Sequence, residues 1–448
     1  MTVDYFEELK PFMDEDGSIT VTQKHLFLLC PNNSGSTYLQ ECFRNSKKVS
    51  VLPDEGQFIK GFNGSRSSDF GVNHIFTLER EKFEEDSEQS WIQNSVLYDL
   101  EWTKQNPKAD WRFQKSPPDI LRPHILIETF VNLNFLIMVR NPYAMAESIL
   151  RANPNASLEQ IAKHCINCLI IQRKNIFLTG NNSVFTYEDM CDRPEWVENI
   201  IKEKYEIEDF SLTLPEDSSV KGVYSGKLEN KNTEQINRLK KYQIDYLNNY
   251  FSQFPDTLSF WGYELVDSSK YGFKVKEVMD LDISKLKEKV LNISDSKWKE
   301  NTKRQEYFKE HSLTESIIVY SKKENSDDPI YGNSDIVDKE ILTDLQEELQ
   351  DFFIELKKYY KVGSVSRILL AKLKPGQIPE HVDYGVHLNI CRRMHIPLKT
   401  NNDVLFKVES QVYNFKEGLV YEFDNTRLHG VENNSSEERI HLIVDWTY

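Results

Sequence analysis

The strongest constraint on the fold lies in residues 366–448, where short β-rich segments carry two histidines, an aspartate and an arginine. The stretch reads SRILLAKLKPGQIPEHVDYGVHLNICRRMHIPLKT and, further on, YEFDNTRLHGVENNSSEERIHLIVDWTY. In His381-Val382-Asp383 the outer residues stand at i and i+2, and in a strand that spacing sets both side chains on one face. His429 follows far along the chain, so only a folded sheet brings it alongside. Two histidines and a carboxylate on one side of a metal, with open positions opposite, form the ligand set of non-haem Fe(II) oxygenases. Arg439, at the head of an apolar strand, offers a guanidinium that takes a carboxylate by two parallel bonds. His-x-Asp alone is a weak signal, and a lone histidine is more often a surface or core residue. The full set followed by the arginine is far more specific.

These residues resemble the aspartyl/asparaginyl β-hydroxylase family, which includes free-proline hydroxylases. The resemblance implies a double-stranded β-helix (a jelly roll, cupin-like) using Fe(II), 2-oxoglutarate and O2. It implies iron on His381 and His429, and Arg439 on the distal carboxylate of 2-oxoglutarate. Arg393 and His395, in CRRMHIPL, match positions that hold the other end of the cosubstrate. Members of the family divide at the place of Asp383, some keeping a carboxylate and others a glycine. With its carboxylate this chain is closer to the small-molecule hydroxylases, and Asp383 joins the metal ligands.

A chain of 448 residues has room for roughly two or three domains. Its net charge of −16, from 55 basic and 71 acidic residues, argues against nucleic acid or an anionic membrane as the main partner. No apolar run approaches ~18 residues, so no membrane span is expected. The opening MTVDYFEELKPFMDEDGS is acidic and has no apolar core of a secretory signal. Six scattered cysteines fit a reducing, cytoplasmic setting. Cys165 and Cys168, beside His164, fall on one face of a helical pattern and read as core packing, because zinc needs further ligands nearby.

The first half alternates strands and helices. Residues 24–30 (KHLFLLC) form an apolar strand, followed by PNNSGSTYLQECFRNS, a small-residue turn opening a helix. That layout offers free backbone N–H groups to a phosphate, although an ordinary capped turn would look the same. The lysine P-loop GxxxxGK[ST] is missing, which sets an ATPase or kinase aside. WRFQKSPPDI gives a strand and a Pro-Pro turn. NFLIMVRNPYAMAESILR gives a buried strand ending in Arg140 and a helix carrying Ser148 and Arg151, the strand-end arginine and the helix-borne serine being placed to hold a second phosphate. The alternation reads as an open, P-loop-like parallel α/β sheet with ligands at the strand C-termini.

PNNSGSTYL and VRNPYAMAES together resemble the sulfotransferases that use 3′-phosphoadenosine 5′-phosphosulfate (PAPS), over residues 24–265. The resemblance implies Ser34, Gly35, Ser36 and Thr37 at the sulfate donor, and Arg140 and Ser148 at the 3′-phosphate. Asn33 stands in the donor loop where many members have Arg or Lys, so Lys115 in QKSPP is expected to supply the positive charge. Transfer needs the donor held, a cation at the leaving oxygen and a base for the acceptor hydroxyl. Glu55, in LPDEGQF, matches a catalytic glutamate of some members and is preferred as base over His74 or His124. Lys221 and Lys227 could reach the nucleotide phosphates, but either one alone reads better as a loop lysine.

The expected organisation is an N-terminal extension (1–23), a sulfotransferase-like domain (24–265), a linker (266–280) and an oxygenase-like domain (281–448, core 366–448). Helical periodicity at 281–311 and 336–361 suggests helices buttressing the β-helix, SIIVYSKK an outer strand, and 433–438 a hairpin turn. The expected function is a bifunctional tailoring enzyme: hydroxylation of an unactivated C–H, and sulfation of a hydroxyl, which fusion suggests is the one just made. The alternatives are an oxygenase carrying a non-catalytic docking module, and a cupin-like binding protein. The acceptor is a small molecule or an amino-acid- or peptide-derived compound, by analogy alone.

Overall fold

The computed structural model describes residues 24–70, 74–153, 156–215, 219–220, 224–225, 227–300, 302–322, 336–360, 363–383 and 386–447. The extension 1–23 and Lys221 lie outside the described residues. The chain divides into two compact units. One reaches Ile236 and takes in Tyr246–Val266, and the other combines Asn237–Asp245 with Asp267 onward.

The first unit is built on five strands: β1 (Lys24–Leu29), β2 (Val49–Val51), β3 (Trp111–Lys115), β4 (Leu133–Val139) and β5 (Asn182–Thr186). They lie in the order β2-β3-β1-β4-β5, all parallel. Near-continuous apolar runs such as HLFLL and FLIMV suit strands covered on both faces. Leu26 and Leu28 pack with Leu39 and Phe43 of helix α1 (Ser36–Arg44). Phe27, on the opposite face, meets Trp102 of α2 (Glu88–Gln105) and Phe130, with ring centroids 6.2 and 4.8 Å away. Arg140 directly follows β4 and precedes α3 (Pro142–Ala152), which Asn141 caps through its side chain.

Helix α4 (Leu158–Leu178) ties two strand ends together: Gln172 Nε2 donates to Leu29 O at 2.6 Å and to Met138 O at 3.0 Å. The loops after β1 and β4 are thereby fixed side by side. The same helix buries Cys165, Cys168 and His164. His164 bonds Thr77 Oγ1 through Nδ1 (2.8 Å) and Cys168 Sγ through Nε2 (3.5 Å), so this cluster is core, as its helical spacing suggests. A two-residue pair, β6 (Ser219–Val220) and β7 (Tyr224–Ser225), completes the strands of this unit.

The second unit is antiparallel. Its strands are β8 (Val275–Asp280), β9 (Thr314–Ser321), β10 (Ile336–Val337), β11 (Ser364–Leu373), β12 (Gly376–His381), β13 (Arg392–Lys399), β14 (Val404–Val408), β15 (Gln411–Tyr413), β16 (Leu419–Phe423), β17 (His429–Asn433) and β18 (Arg439–Thr447). Seven form one sheet, β10-β9-β11-β18-β13-β16-β8, and four form another, β12-β17-β14-β15. Two expectations change. The stretch 266–280, read as linker, ends in β8, which pairs with β16 at the sheet edge. Residues 433–438, read as a hairpin turn, join strands of different sheets and are a crossover.

Strand β18 shows why the large sheet has two unlike faces. Its alternation sends Ile440, Leu442, Val444 and Trp446 one way, into a core with helices α5 (Ser284–Leu291) and α6 (Gln346–Tyr360). These helices cover the sheet as the periodicity at 281–311 and 336–361 suggests. Truncating a buried leucine there, such as Leu442, costs roughly 2–5 kcal/mol. Arg439, His441, Ile443 and Asp445 occupy the alternate positions. Toward the small sheet a second core joins Leu373, Tyr421 and Phe423 to Ile378, Phe406, Val408 and Val431. Among the described residues no helix is long and apolar enough to cross a membrane.

Candidate functional site

His381 ends β12, His429 begins β17, and the two are register partners across that strand pair. A register irregularity between Ile378 and His381 accompanies the approach, a common means of re-aiming a side chain. Gly430 permits it: a Cβ there would lie 2.9 Å from Ile378 O and 3.1 Å from Glu380 N. The imidazole centroids are 4.4 Å apart. His381 Nδ1 lies 2.8 Å from Pro379 O, and His429 Nδ1 lies 2.8 Å from Arg427 O. A carbonyl only accepts, so each Nδ1 carries the proton and each Nε2 keeps its lone pair. Asp383 follows β12, its N–H bonded to Asn425 O at 3.2 Å, and its Oδ1 lies 3.9 Å from His381 Nε2. Ligand atoms of His381, Asp383 and His429 all fall within 4.8 Å of one another.

The charges around this set keep it ready for a cation. Burial alone would raise the Asp383 carboxyl, but neighbouring positive charge, Arg393 first, more than offsets it and holds it well below the usual range. Burial lowers His429, which favours the neutral, ligating imidazole. Pinned Nδ1–H groups, free Nε2 lone pairs and an ionised carboxylate form a donor set that fits ferrous iron.

Arg439 is 2% exposed and carries the other distinctive feature. Its Nη2 donates to His441 Nδ1 at 2.6 Å, while among the described residues its buried Nε has no partner. Burial, with the nearby Arg304 charge, lowers it to about 9. His395 lies beside this pair, its Nδ1 3.2 Å from His441 Nδ1, and burial and the Arg439 charge keep both imidazoles neutral. A buried guanidinium held by a neutral ring is costly unless an anion completes it. Arg393 differs from its expected place. Its Nε and Nη2 donate to Asp445 Oδ1 and Oδ2 at 2.8 and 2.9 Å, and its Nη1 contacts Asp383 Oδ2. Its fork is thus closed on a carboxylate, whereas the resemblance puts Arg393 at the cosubstrate's other end.

Several residues here escaped the sequence reading. Asp445 sits three alternate steps along β18 from Arg439, so strand periodicity pointed to it. His441 is one such step away. Arg304 donates to His311 Nε2 at 3.1 Å, and the His311 ring stands edge-on to His381 with centroids 5.4 Å apart. Nothing in the spacing of Arg304 and His311 signals that proximity.

In the first unit a cavity of about 360 Å³ opens at the C-terminal ends of the parallel strands. It is lined by Asn33, Gly35, Ser36, Thr37, Glu55, His74, Lys115, Arg140, Ser148, Arg151 and Lys227, so nearly every residue singled out for this unit meets there. Gly35 caps α1 at φ 83°, and a Cβ would sit 2.7 Å from the Tyr187 ring, so only glycine suits this turn. Two residues fall outside. The Ser34 hydroxyl turns inward to Pro31 O at 2.6 Å and is fully buried. His124 is exposed on the short helix Pro123–Thr129, away from the cavity lining.

Lys115 Nζ lies 2.5 Å from Glu55 Oε1 and 3.3 Å from Thr37 Oγ1. Gln57 Nε2 holds the other Glu55 oxygen at 2.8 Å. Among the described residues Arg140 is held by neutral acceptors: Asn232 Oδ1 at 2.8 Å, Asn33 O at 2.6 Å and Gln235 Oε1, with the Tyr187 ring centroid 4.0 Å away. Gln235 in turn donates to Ser148 Oγ at 2.9 Å. Burial lowers Arg140, against smaller opposing effects of Tyr187 and Glu188, and among the described residues Asn33 Nδ2 is buried without a partner. A cavity with such a lining fits an anionic ligand.

No curated protein sequence matches the chain. Among solved structures, the sulfotransferase domain from the curacin biosynthetic pathway is 17% identical, with 55% of this chain and all of that one covered at a TM-score of 0.34. The sulfotransferase domain of the Synechococcus PCC 7002 olefin synthase is 19% identical over 48% of this chain and 84% of that one, with a TM-score of 0.31. An oxidoreductase of the 2OG-Fe(II) oxygenase family from Burkholderia pseudomallei is 14% identical over 30% and 66%, with a TM-score of 0.23. Residues 353–447, the stretch holding His381, Asp383, His429 and Arg439, match the profile of the family described as aspartyl/asparaginyl beta-hydroxylase.

Proposed function

We propose that the second unit is an Fe(II)/2-oxoglutarate-dependent hydroxylase on a double-stranded β-helix, and that the first is a PAPS-dependent sulfotransferase. The observation that carries the reading is the convergence of His381, Asp383 and His429, with Nε2 lone pairs free, beside an incompletely satisfied buried arginine. The family match over 353–447 supports it. Ferrous iron with 2-oxoglutarate and O2 supplies the oxidising chemistry that turns a C–H into a C–OH, releasing succinate and CO2. The chain's part is placement. His381, His429 and Asp383 hold the metal, and Arg439 takes the distal carboxylate, gaining the acceptor its Nε lacks. His395, neutral and beside Arg439, stays a contact for the cosubstrate.

In the first unit Asn33, Gly35, Ser36 and Thr37, with the backbone of Ser34, would cradle the donor's phosphosulfate, and Arg140 and Ser148 its 3′-phosphate. PAPS supplies an activated sulfuryl group. Lys115 places positive charge beside Thr37, where charge develops on the departing oxygen. Glu55 accepts the acceptor hydroxyl's proton, which requires it to exchange Lys115 for that hydroxyl. A second reading, nucleotide binding without transfer, draws support from the closed Glu55–Lys115 pair. Hydroxylation supplies the group that sulfation consumes, so the two reactions suit one substrate.

The test is incubation of an extract with the protein and both cofactor sets, followed by mass spectrometry for gains of one oxygen, of SO3, and of both. Succinate formation that needs Fe(II) and disappears in His381→Ala is expected. Succinate unaffected by that substitution contradicts the oxygenase. Sulfation equally fast without Fe(II) and 2-oxoglutarate contradicts the sequential order.

A further inference from the structure

Three neighbouring strands carry charged residues at one register level. Asp445 on β18 stands directly opposite Arg393 on β13 and Arg367 on β11. It is fully buried, takes two parallel bonds from Arg393, and lies 3.5 Å from Arg367 Nε. Two carboxylate bonds in a fork fix the guanidinium plane. With Nε and Nη2 occupied, Arg393 has one edge left, and its Nη1 contacts Asp383 Oδ2. The other oxygen, Oδ1, is the one 3.9 Å from His381 Nε2.

We propose that Arg393 and Asp445 are positioning residues of the metal site: Asp445 fixes Arg393, and Arg393 occupies Asp383 Oδ2 so that Oδ1 alone is offered to the metal. The inference rests on the oxygenase reading above and replaces a cosubstrate contact by a clamp. A carboxylate that bound through both oxygens would fill a position needed by O2. Holding one oxygen on a guanidinium keeps that position open. It also fixes a loop aspartate whose backbone N–H bonds the Asn425 carbonyl. Orienting partners of this kind typically contribute 10–100-fold in metal affinity.

The test uses the full chain with Co(II) as probe. Five proteins are compared: Arg393→Lys, Asp445→Asn, the paired Arg393→Met/Asp445→Leu, His381→Ala and wild type. Calorimetry gives Co(II) affinity, visible absorption its coordination, and a titration the 2-oxoglutarate affinity of the metal-loaded protein. Thermal melting follows the fold, and the paired variant removes both buried charges together so that neither is stranded. The expected result is a loss of Co(II) affinity of about 10-fold or more in all three variants of Arg393 and Asp445. The cobalt spectrum should change with it, while 2-oxoglutarate affinity moves less than about 3-fold, roughly 0.7 kcal/mol. Unchanged cobalt affinity and spectrum, with 2-oxoglutarate affinity falling about 10-fold in Arg393→Lys, overturns the clamp and returns Arg393 to the cosubstrate. Cobalt binding identical in wild type and His381→Ala overturns the metal reading itself, and the clamp with it.

Discussion

The two units hold buried positive charge in contrasting ways. In the first, Arg140 donates from each of its three nitrogens to a neutral acceptor and lies against a tyrosine ring. In the second, Arg439 has a histidine nitrogen and an Nε with no partner among the described residues. Both lack a carboxylate, so both suit an anion. They differ in what the empty site costs. Arg140 is fully organised before any ligand arrives, whereas Arg439 is left partly unsatisfied and burial lowers it to about 9. Lys115 and Arg393 are the converse cases, each already closed on a carboxylate. A buried cation closed on a carboxylate orients something, and one closed on neutral groups waits for an anion.

Substitutions can break this comparison. The largest effect is expected at the metal ligands: His381→Ala or His429→Ala should lower 2-oxoglutarate turnover by at least about 1,000-fold, checked by succinate assay and bound-metal analysis. Next is Arg439→Met. It should weaken 2-oxoglutarate binding roughly 30- to 100-fold, about 2–3 kcal/mol, while the ligand-free melting temperature holds or rises because an uncompensated buried cation is gone. Arg140→Met should behave differently, weakening binding of the desulfated nucleotide about 10-fold and also lowering the melting temperature. Asn232, Gln235 and the Asn33 carbonyl would lose their donor, at about 1–3 kcal/mol. Equal stability effects at Arg439 and Arg140 would erase the contrast.

The smallest expected effect is a pH dependence. Burial would raise the Asp445 carboxyl, but Arg393, by charge and hydrogen bonds, and Arg367 lower it to about 2. An unfolded aspartate titrates near ~3.9. The ionised form is therefore favoured in the fold. Its contribution, on the order of 2 kcal/mol, is complete above pH ~4 and is lost as pH falls through about 2. Asp445→Asn should flatten that part of the acid-unfolding curve, measured by circular dichroism against pH.

What was legible in the sequence follows from what each signal encodes. The apolar strand behind Arg439 was legible, and the His381/Asp383 spacing placed a metal pair on one strand face. The apolar runs around KHLFLLC and NFLIMV showed a parallel sheet covered on both faces. Pairing across strands was not legible. Arg393 looks the same in sequence whether it faces a keto acid or Asp445, because register is set by the whole sheet. For the same reason β8 hid inside a polar stretch: VKEVMD is an edge strand whose burial is only partial. Ser34 looked equivalent to its neighbours, yet a tight turn has an inside, and its hydroxyl went there.

The most direct measurement is an anaerobic titration of Fe(II) into the protein with 2-oxoglutarate, following the visible charge-transfer absorption of a keto acid chelated to ferrous iron. The expected result is a band that saturates at one iron per chain, is absent in His381→Ala, and needs far more 2-oxoglutarate in Arg439→Met. A band that never forms, or one that survives His381→Ala unchanged, would contradict iron held by His381, Asp383 and His429.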